Sequence, residues 1–317
     1  MAHSQAPMTG QSRDTLTVGT RGSLLARSQT QWVIERIQRA NPGLDVRMQI
    51  ISTTGDRIKG PLPEVGGKGL FTEELERALI EGTIDLAVHS CKDLPTDLAE
   101  ELAILAYPPR EDPRDAWISA DGKLLEDLPP GSVVGTTSLR RQAQLLMVRR
   151  DLSFVGLRGN VDTRIRKVHQ GDCAAAVLAM AGLIRAGLAH HVVQPLEPQV
   201  MLPAPGQGAL ALEGRQGDDR VAGLLSAVQD EATRLAVTCE RTVLNRLNAG
   251  CRAPVAVLAE VQGVQIQATA MVSDPRGEQV VRAQGSRPVQ EANALAEQLI
   301  AELQTGGAGE IIAACRV

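Results

Sequence analysis

Between Val134 and Lys167 the chain gathers Arg140, Arg141, Arg149, Arg150, Arg158, Arg164, Arg166 and Lys167 against only Asp151 and Asp162. The stretch carries a formal +6 in a protein whose total is −4, leaving about −10 for the remainder. Guanidinium groups so concentrated repel one another unless an anion joins them. Arginine suits that task because its planar fork bonds a carboxylate or phosphate twice and its charge does not titrate away. Arg149 and Arg150 read as a solvated helix face. Arg140, Arg141, Arg158 and Arg164 instead sit beside Gly, Ser, Thr or Asn at strand-to-helix junctions, where helix amides and hydroxyls also favour an anion.

Two further places could carry chemistry. The run Asp85 to Pro95, DLAVHSCKDLP, is a strand ending in His89, Ser90, Lys92 and Asp93. Polar groups at the carboxyl end of a buried α/β strand lie where such folds bind ligands, although a turn capped by Asp93 and Lys92 fits this stretch equally. Cys251 lies in the loop Ala249-Gly250-Cys251-Arg252-Ala253-Pro254, where Gly and Pro stop the flanking elements and leave the thiol accessible. An inert thiol would fit there too. Gly67-Lys68 fails as a phosphate-binding loop, since Leu62 and Gly69 stand where glycine and a hydroxyl residue are needed.

With 317 residues, 43% of them hydrophobic, the chain can bury two or three aliphatic cores. Its aromatic residues are Trp32, Trp117, Tyr107, Phe71 and Phe154, too few to stack single-stranded nucleic acid, so the basic stretch is matched to a small polyanion. No apolar run is long enough to span a membrane, and residues 1–13 read as a disordered tail on a cytoplasmic protein. The five cysteines show no CxxC spacing, which suggests neither a disulfide framework nor a metal site.

Apolar periodicity places a strand at Leu16–Thr20, a helix opened by Ser23, a strand through Val46, Met48 and Ile50, a helix at 72–81 and a buried strand at 84–88. Residues 54–69, rich in Gly and Pro, read as a long mobile loop. The alternation implies a parallel sheet covered by helices. The chain then repeats itself: TVGTRGSLLARSQ and VVGTTSLRRQAQL share strand, Gly-Thr, hydroxyl, Arg and helix, a match that strand-to-helix turns can also produce by chance. Two such units facing each other would enclose a charged cleft. The expected organisation is a first domain of 14–110 with 207–228, a second of 111–206, and a third, α+β, of 229–317. Leu202 to Leu212, LPAPGQGALAL, reads as the hinge that crosses back.

Taken together, the motifs GTRGSLLA, VGGKGLFTEELE, DLAVHSCKDLP, REDPRDAW, VGTTSLRRQ, LRGNVDTR, LAMAGLIR, LPAPGQGAL and the Cys251 loop closely resemble the porphobilinogen deaminase (hydroxymethylbilane synthase) family of tetrapyrrole and heme biosynthesis. The resemblance runs from about Leu16 through nearly the whole chain. It departs at Thr137, where serine is common, and at Arg252-Ala253, where Gln-Val is familiar.

The resemblance implies two periplasmic-binding-protein-like (type 2) α/β domains around a cleft, with a small C-terminal α+β domain. It implies a dipyrromethane cofactor on Cys251 through a thioether, Asp93 as the central carboxylate, and porphobilinogen joined head to tail through an azafulvene with loss of ammonia. By motif position, Arg21, Ser23, Ser138, Arg140, Arg141, Arg158, Arg164 and Arg185 would hold cofactor or substrate carboxylates. Thr136 and Thr137 would face the cofactor, Phe71 the substrate, and Lys92 would set the field at Asp93 and bind a carboxylate. The 54–69 loop would be a lid. A cytoplasmic monomer that binds neither nucleic acid nor membrane completes the expectation. The competing readings are a reversible anion-binding protein using the same cleft and an RNA-binding protein using the basic stretch; both leave the cysteine loop unexplained.

Overall fold

The computed structural model describes residues 15–57, 70–249 and 253–315. The tail, Lys68 with the rest of 58–69, and Cys251 lie outside the described residues. The first unit opens with β1 (Thr15–Arg21) and α1 (Leu24–Ala40), whose cap Ser23 accepts from the Ala26 amide. It continues through β2 (Asp45–Ile51), a short α2 (Thr54–Arg57), α3 (Glu73–Ile80), β3 (Leu86–Ser90) and β4 (Leu102–Ala106). Two details differ from expectation. The buried strand runs two residues later and delivers its end to Ser90. Thr54 is not in an irregular loop, because its amide and hydroxyl both donate to Glu74 Oε1 and hold α2 in place.

The second unit contains β5 (Asp115–Ser119), β6 (Val133–Gly135), α4 (Leu139–Val148), β7 (Ser153–Val155), α5 (Val161–His169), β8 (Ala175–Ala179), α6 (Met180–Arg185) and β9 (Gln194–Leu196). The chain then crosses back to β10 (Leu210–Arg215) and α7 (Asp219–Leu225). The sheet orders are β2-β1-β3-β10-β4 and β7-β6-β8-β5-β9, the same plan twice. In each sheet the strand that has just crossed from the other unit, β10 or β5, runs antiparallel to its neighbours. The sheets are therefore mixed and not wholly parallel, because a strand arriving from across the cleft enters from the opposite end. Helices cover both faces: Ala116 and Ile118 of β5 join one core cluster and Trp117, between them, joins the other.

The third unit is α8 (Glu231–Leu247), the meander β11 (Val255–Gln262), β12 (Gln265–Ser273) and β13 (Val280–Pro288), then α9 (Ala292–Thr305) and α10 (Ala308–Ala314). Val255, Val257 and Ala259 of β11 pack into the α8–α9 core, while Ala256 and Leu258 face Leu202. Period-2 alternation thus attaches this unit to the returning segment. The architecture is two α/β units around a cleft with a small α+β unit beside them.

All three units meet at Glu240, fully buried on α8. Its carboxylate accepts both terminal nitrogens of Arg110 at 2.7 and 3.1 Å, the Gly206 amide at 2.6 Å and the Ala259 amide at 2.8 Å. Arg110 lies on the outgoing crossing segment and Gly206 on the returning one. At Gly208 (φ +87°) an added Cβ would sit 2.4 Å from the Glu111 carbonyl oxygen, so the two segments touch backbone to backbone there. Arg110→Ala would leave Glu240 buried without its counter-charge, and we expect a loss of about 3–5 kcal/mol, read as a lower urea midpoint. A midpoint matching the parent would show that water enters the junction freely.

Candidate active site

The carboxyl ends of β1, β3, β6 and β8 all open on one cleft of about 790 Å³ between the two sheets, inside the range of small-molecule sites, roughly 300–1,000 Å³. Its first wall holds Arg21, Ser23, Gln29, Lys92 and Asp93. The facing wall holds Thr137, Arg141, Arg158, Arg164, Lys167 and Arg185, with Phe71 and Asp56 at one edge. Lys92 and Asp93 form a single 3-10 turn directly after β3, so the strand fixes where they project.

Each cation is held differently. Arg21 is bridged by Asp56 through Nε and Nη2 and stacks on the Phe71 ring, 4.1 Å from its centroid. Burial would raise the Asp56 carboxyl, but the hydrogen bonds from Arg21 and Thr53 hold it below the usual range. Arg164 donates from Nε to the Gly159 carbonyl, Lys167 to that of Arg158, and Arg185 to that of Gly208. Burial lowers Arg185 to about 10, which leaves it charged at neutral pH. Arg158 lines this wall, and its backbone carbonyl is the one that accepts from Lys167.

Arg140 is placed otherwise than its motif suggests. It is buried, does not line the cleft, and donates to the Leu202 carbonyl at 2.6 Å and to Asp115 Oδ2 at 2.8 Å. Arg141 lines the cleft yet is also bound to Asp115, through Nε and Nη2 to Oδ1, and to the Val177 carbonyl. The cause is Asp115, wholly buried at the start of β5. Burial would raise its pKa, but Arg140 and Arg141, joined by Lys92, hold it well below the ordinary carboxylate range. Thr136 and Ser138 also serve the local fold: Thr136 Oγ1 accepts from the Ser138 amide, and Ser138 Oγ caps α4. Arg149 is no solvated face, since it donates to the carbonyls of Leu125, Glu126 and Leu128 and pairs with Asp151.

Lys92 Nζ donates to Gln207 Oε1 at 3.2 Å. Water reaches the side chains of Lys92 and Asp93, yet protein crowds Lys92 from the cleft walls. That crowding lowers the Lys92 ammonium to about 8, reinforced by Arg141 and Arg140 and opposed by Asp93 and Asp115. Cys91 beside it is buried and raised to about 11, which makes it an inert thiol. Sequence reasoning did not single out Gln29, Asn160, Lys167, Asp115 or Gln207. Lys167 was legible as the residue one turn beyond Arg164 on α5; Gln207 gave only its flanking glycines as a signal.

Cys251 lies outside the described residues, but the helix leading to it is fixed. Arg241 of α8 donates to the carbonyls of Leu94 and Pro95, and Asn245, one turn on, donates to Asp97. The helix end that precedes the cysteine loop is thereby bound to the segment that follows Asp93.

Residues 16–223 match the family model described as "Porphobilinogen deaminase, dipyromethane cofactor binding domain", and residues 234–305 match "Porphobilinogen deaminase, C-terminal domain". The chain is 46% identical over 304 residues to the porphobilinogen deaminase of Syntrophotalea carbinolica, covering 96% of each. It is 47% identical over 305 residues to that of Desulforudis audaxviator, covering 96% of this chain and 99% of the relative. Among solved structures it is similar to the methionine binding protein MetQ, at 16% identity and a TM-score of 0.45, over 70% of this chain and 93% of that one.

The crowding around Lys92 has a measurable consequence. In protein carrying 15N-lysine, we expect its side-chain nitrogen to titrate with a midpoint near 8, cationic below and neutral above, against 10.5 for an ordinary lysine. An unshifted midpoint would mean that the cleft floor is as well hydrated as the surface.

Proposed function

The chain belongs to the porphobilinogen deaminase family, and from that premise we propose how its own residues carry the reaction. The enzyme is a transferase of porphyrin biosynthesis that joins porphobilinogen units head to tail with loss of ammonia and releases the linear tetrapyrrole hydroxymethylbilane. The observation that carries the residue assignment is the convergence of Arg21, Lys92, Arg141, Arg158, Arg164, Lys167 and Arg185 on one cleft that also presents Asp93.

That cleft suits a dipyrromethane. Its cations match acetate and propionate groups, and Leu25, Leu178 and Ala181 offer apolar surface for pyrrole rings. When bound, the dipyrromethane supplies the pyrrole carbon to which the first porphobilinogen is joined. Cys251 is the proposed attachment point, supported by the docking of α8 against the Asp93 segment. Its thiol acts once, during loading, and afterwards serves as a tether.

Arg21 and Ser23 on one wall and Arg158, Arg164 and Arg185 on the other hold substrate and product carboxylates. Arg141 and Thr137 face the cofactor, while Arg140 acts through Asp115 without touching a ligand. Phe71 closes the edge by stacking on Arg21. Asp93 lines the cleft, where its carboxylate would lie near pyrrole N–H groups and would stabilise the positive charge that develops as ammonia leaves. Lys92 binds a carboxylate and sets the field at Asp93. One chain supplies the cleft, the crossing segments and the cysteine loop, which supports a monomer. Cys91, Cys173, Cys239 and Cys315 are free thiols, which supports a cytoplasmic setting.

Weighing the intact protein tests the proposal. We expect the parent to exceed its sequence mass by two porphobilinogen units less two ammonia molecules, and Cys251→Ala to carry no adduct. A parent that stays unmodified after incubation with porphobilinogen would favour the reversible anion-binding reading. For Asp93→Asn we expect intact cofactor loading with kcat reduced about 10²–10⁴-fold; turnover near the parent's would remove Asp93 from the centre.

A further inference from the structure

Among the described residues Asp93 forms no ion pair with Lys92, although the two are adjacent in sequence and in charge natural partners. The ammonium is drawn instead to Gln207 Oε1, and among the described residues nothing else accepts a hydrogen bond from it. Gln207 is completely buried. Its Nε2 faces the carbonyls of Pro113 at 2.8 Å and Arg114 at 3.3 Å, and Asp115 Oδ1 at 3.1 Å. All three are acceptors, so the carboxamide has one orientation: a flipped amide would set its oxygen against them. The backbone is equally fixed. Gly206 (φ +73°) and Gly208 (φ +87°) flank it, and an added Cβ would meet Cys91 Sγ at 3.0 Å in the first case and the Glu111 carbonyl oxygen at 2.4 Å in the second.

We infer that Gln207 is a positioning residue of this enzyme: its fixed carbonyl oxygen holds the Lys92 ammonium away from Asp93 and so leaves the Asp93 carboxylate free for the substrate. The inference rests on the proposed roles of Lys92 and Asp93. Its physical logic is a competition. Lysine carries its charge on a flexible four-carbon stem and pairs with whichever acceptor is best placed. Asp93 from the same turn and Asp115 from β5 attract it, whereas Arg140 and Arg141 from α4 repel it. Asp115 is already saturated by the two arginines. Without the amide, the ammonium turns to Asp93. A carboxylate so neutralised stabilises less positive charge as ammonia departs. A neutral acceptor suits the task because it holds the ammonium without removing its charge from the cleft.

The test is a double-mutant cycle on the cofactor-bearing enzyme, with Gln207→Met, Lys92→Met and the pair, and with cofactor content checked by mass. Methionine keeps the length of the side chain and removes the acceptor. We expect Gln207→Met to lower kcat about tenfold or more, and to add nothing in the Lys92→Met background, because it acts through the lysine. We also expect the alkaline limb of its pH profile to move upward, since an ammonium paired with Asp93 keeps its proton longer. Unchanged kcat in Gln207→Met, or the same loss repeated without the lysine, would overturn the inference and leave the role of Lys92 standing. Parent-like kcat and KM in Lys92→Met would instead remove Lys92 from the site. Should Gln207→Met not load cofactor, Gln207→Leu enters the same cycle with a different shape.

Discussion

A buried carboxylate at the boundary of the two α/β units sets the geometry of the cleft. Asp115 begins the strand that has just crossed from the first unit, and it draws to itself Arg140, Arg141 and the amide of Gln207. Ions taken so far from water are tolerated only when paired and fully hydrogen-bonded, and here the remaining guanidinium hydrogens reach the carbonyls of Leu202 and Val177. Those partners lie on the outgoing segment, the returning segment, α4 and β8. One ion cluster therefore joins both crossings to the sheet of the second unit, and the position of Arg141 in the cleft follows from it.

The cations of the site divide by what already holds them. Arg140 is consumed internally and Arg141 is half committed, whereas Arg164, Lys167 and Arg185 are steadied by backbone carbonyls. A carbonyl orients a cation without cancelling its charge, so these groups keep their attraction for an incoming carboxylate. Arg21 is intermediate, bridged by Asp56 and stacked on Phe71. The same principle recurs at Lys92, where an amide oxygen replaces the carbonyl. The wall of the second unit is thus a field of fixed positive charge, suited to a product that adds carboxylates with every unit joined.

Much of this was legible in the sequence, and the limits have physical causes. The cap at Ser23 and the apolar periodicities mark the first elements, because those signals are local. The repeated strand-turn-helix plan anticipates two sheets, and motif positions bring Arg21, Ser23, Lys92, Asp93, Arg158 and Arg164 to one cleft. What escaped depends on contacts distant along the chain. That Arg140 turns inward is decided by Asp115, 25 positions away, and Gln207 matters because of Lys92, 115 positions away. The antiparallel strand in each sheet also follows from topology and not from composition, since β5 and β10 read like any buried run.

The third unit constrains how one site can serve a lengthening chain. Arg241 and Asn245 bind α8 to residues 94–97, on the side of the cleft that bears Asp93. The arginines of α4, α5 and α6 belong to the opposite wall. A rotation about the crossing segments changes the distance between Asp93 and that wall while leaving the distance between Asp93 and the end of α8 unchanged. Glu240 sits at the pivot of such a motion, bound to both crossing segments and to β11. A rotation of that kind would bring successive cations of the arginine wall past Asp93, while the Asp93 carboxylate keeps its place relative to the end of α8.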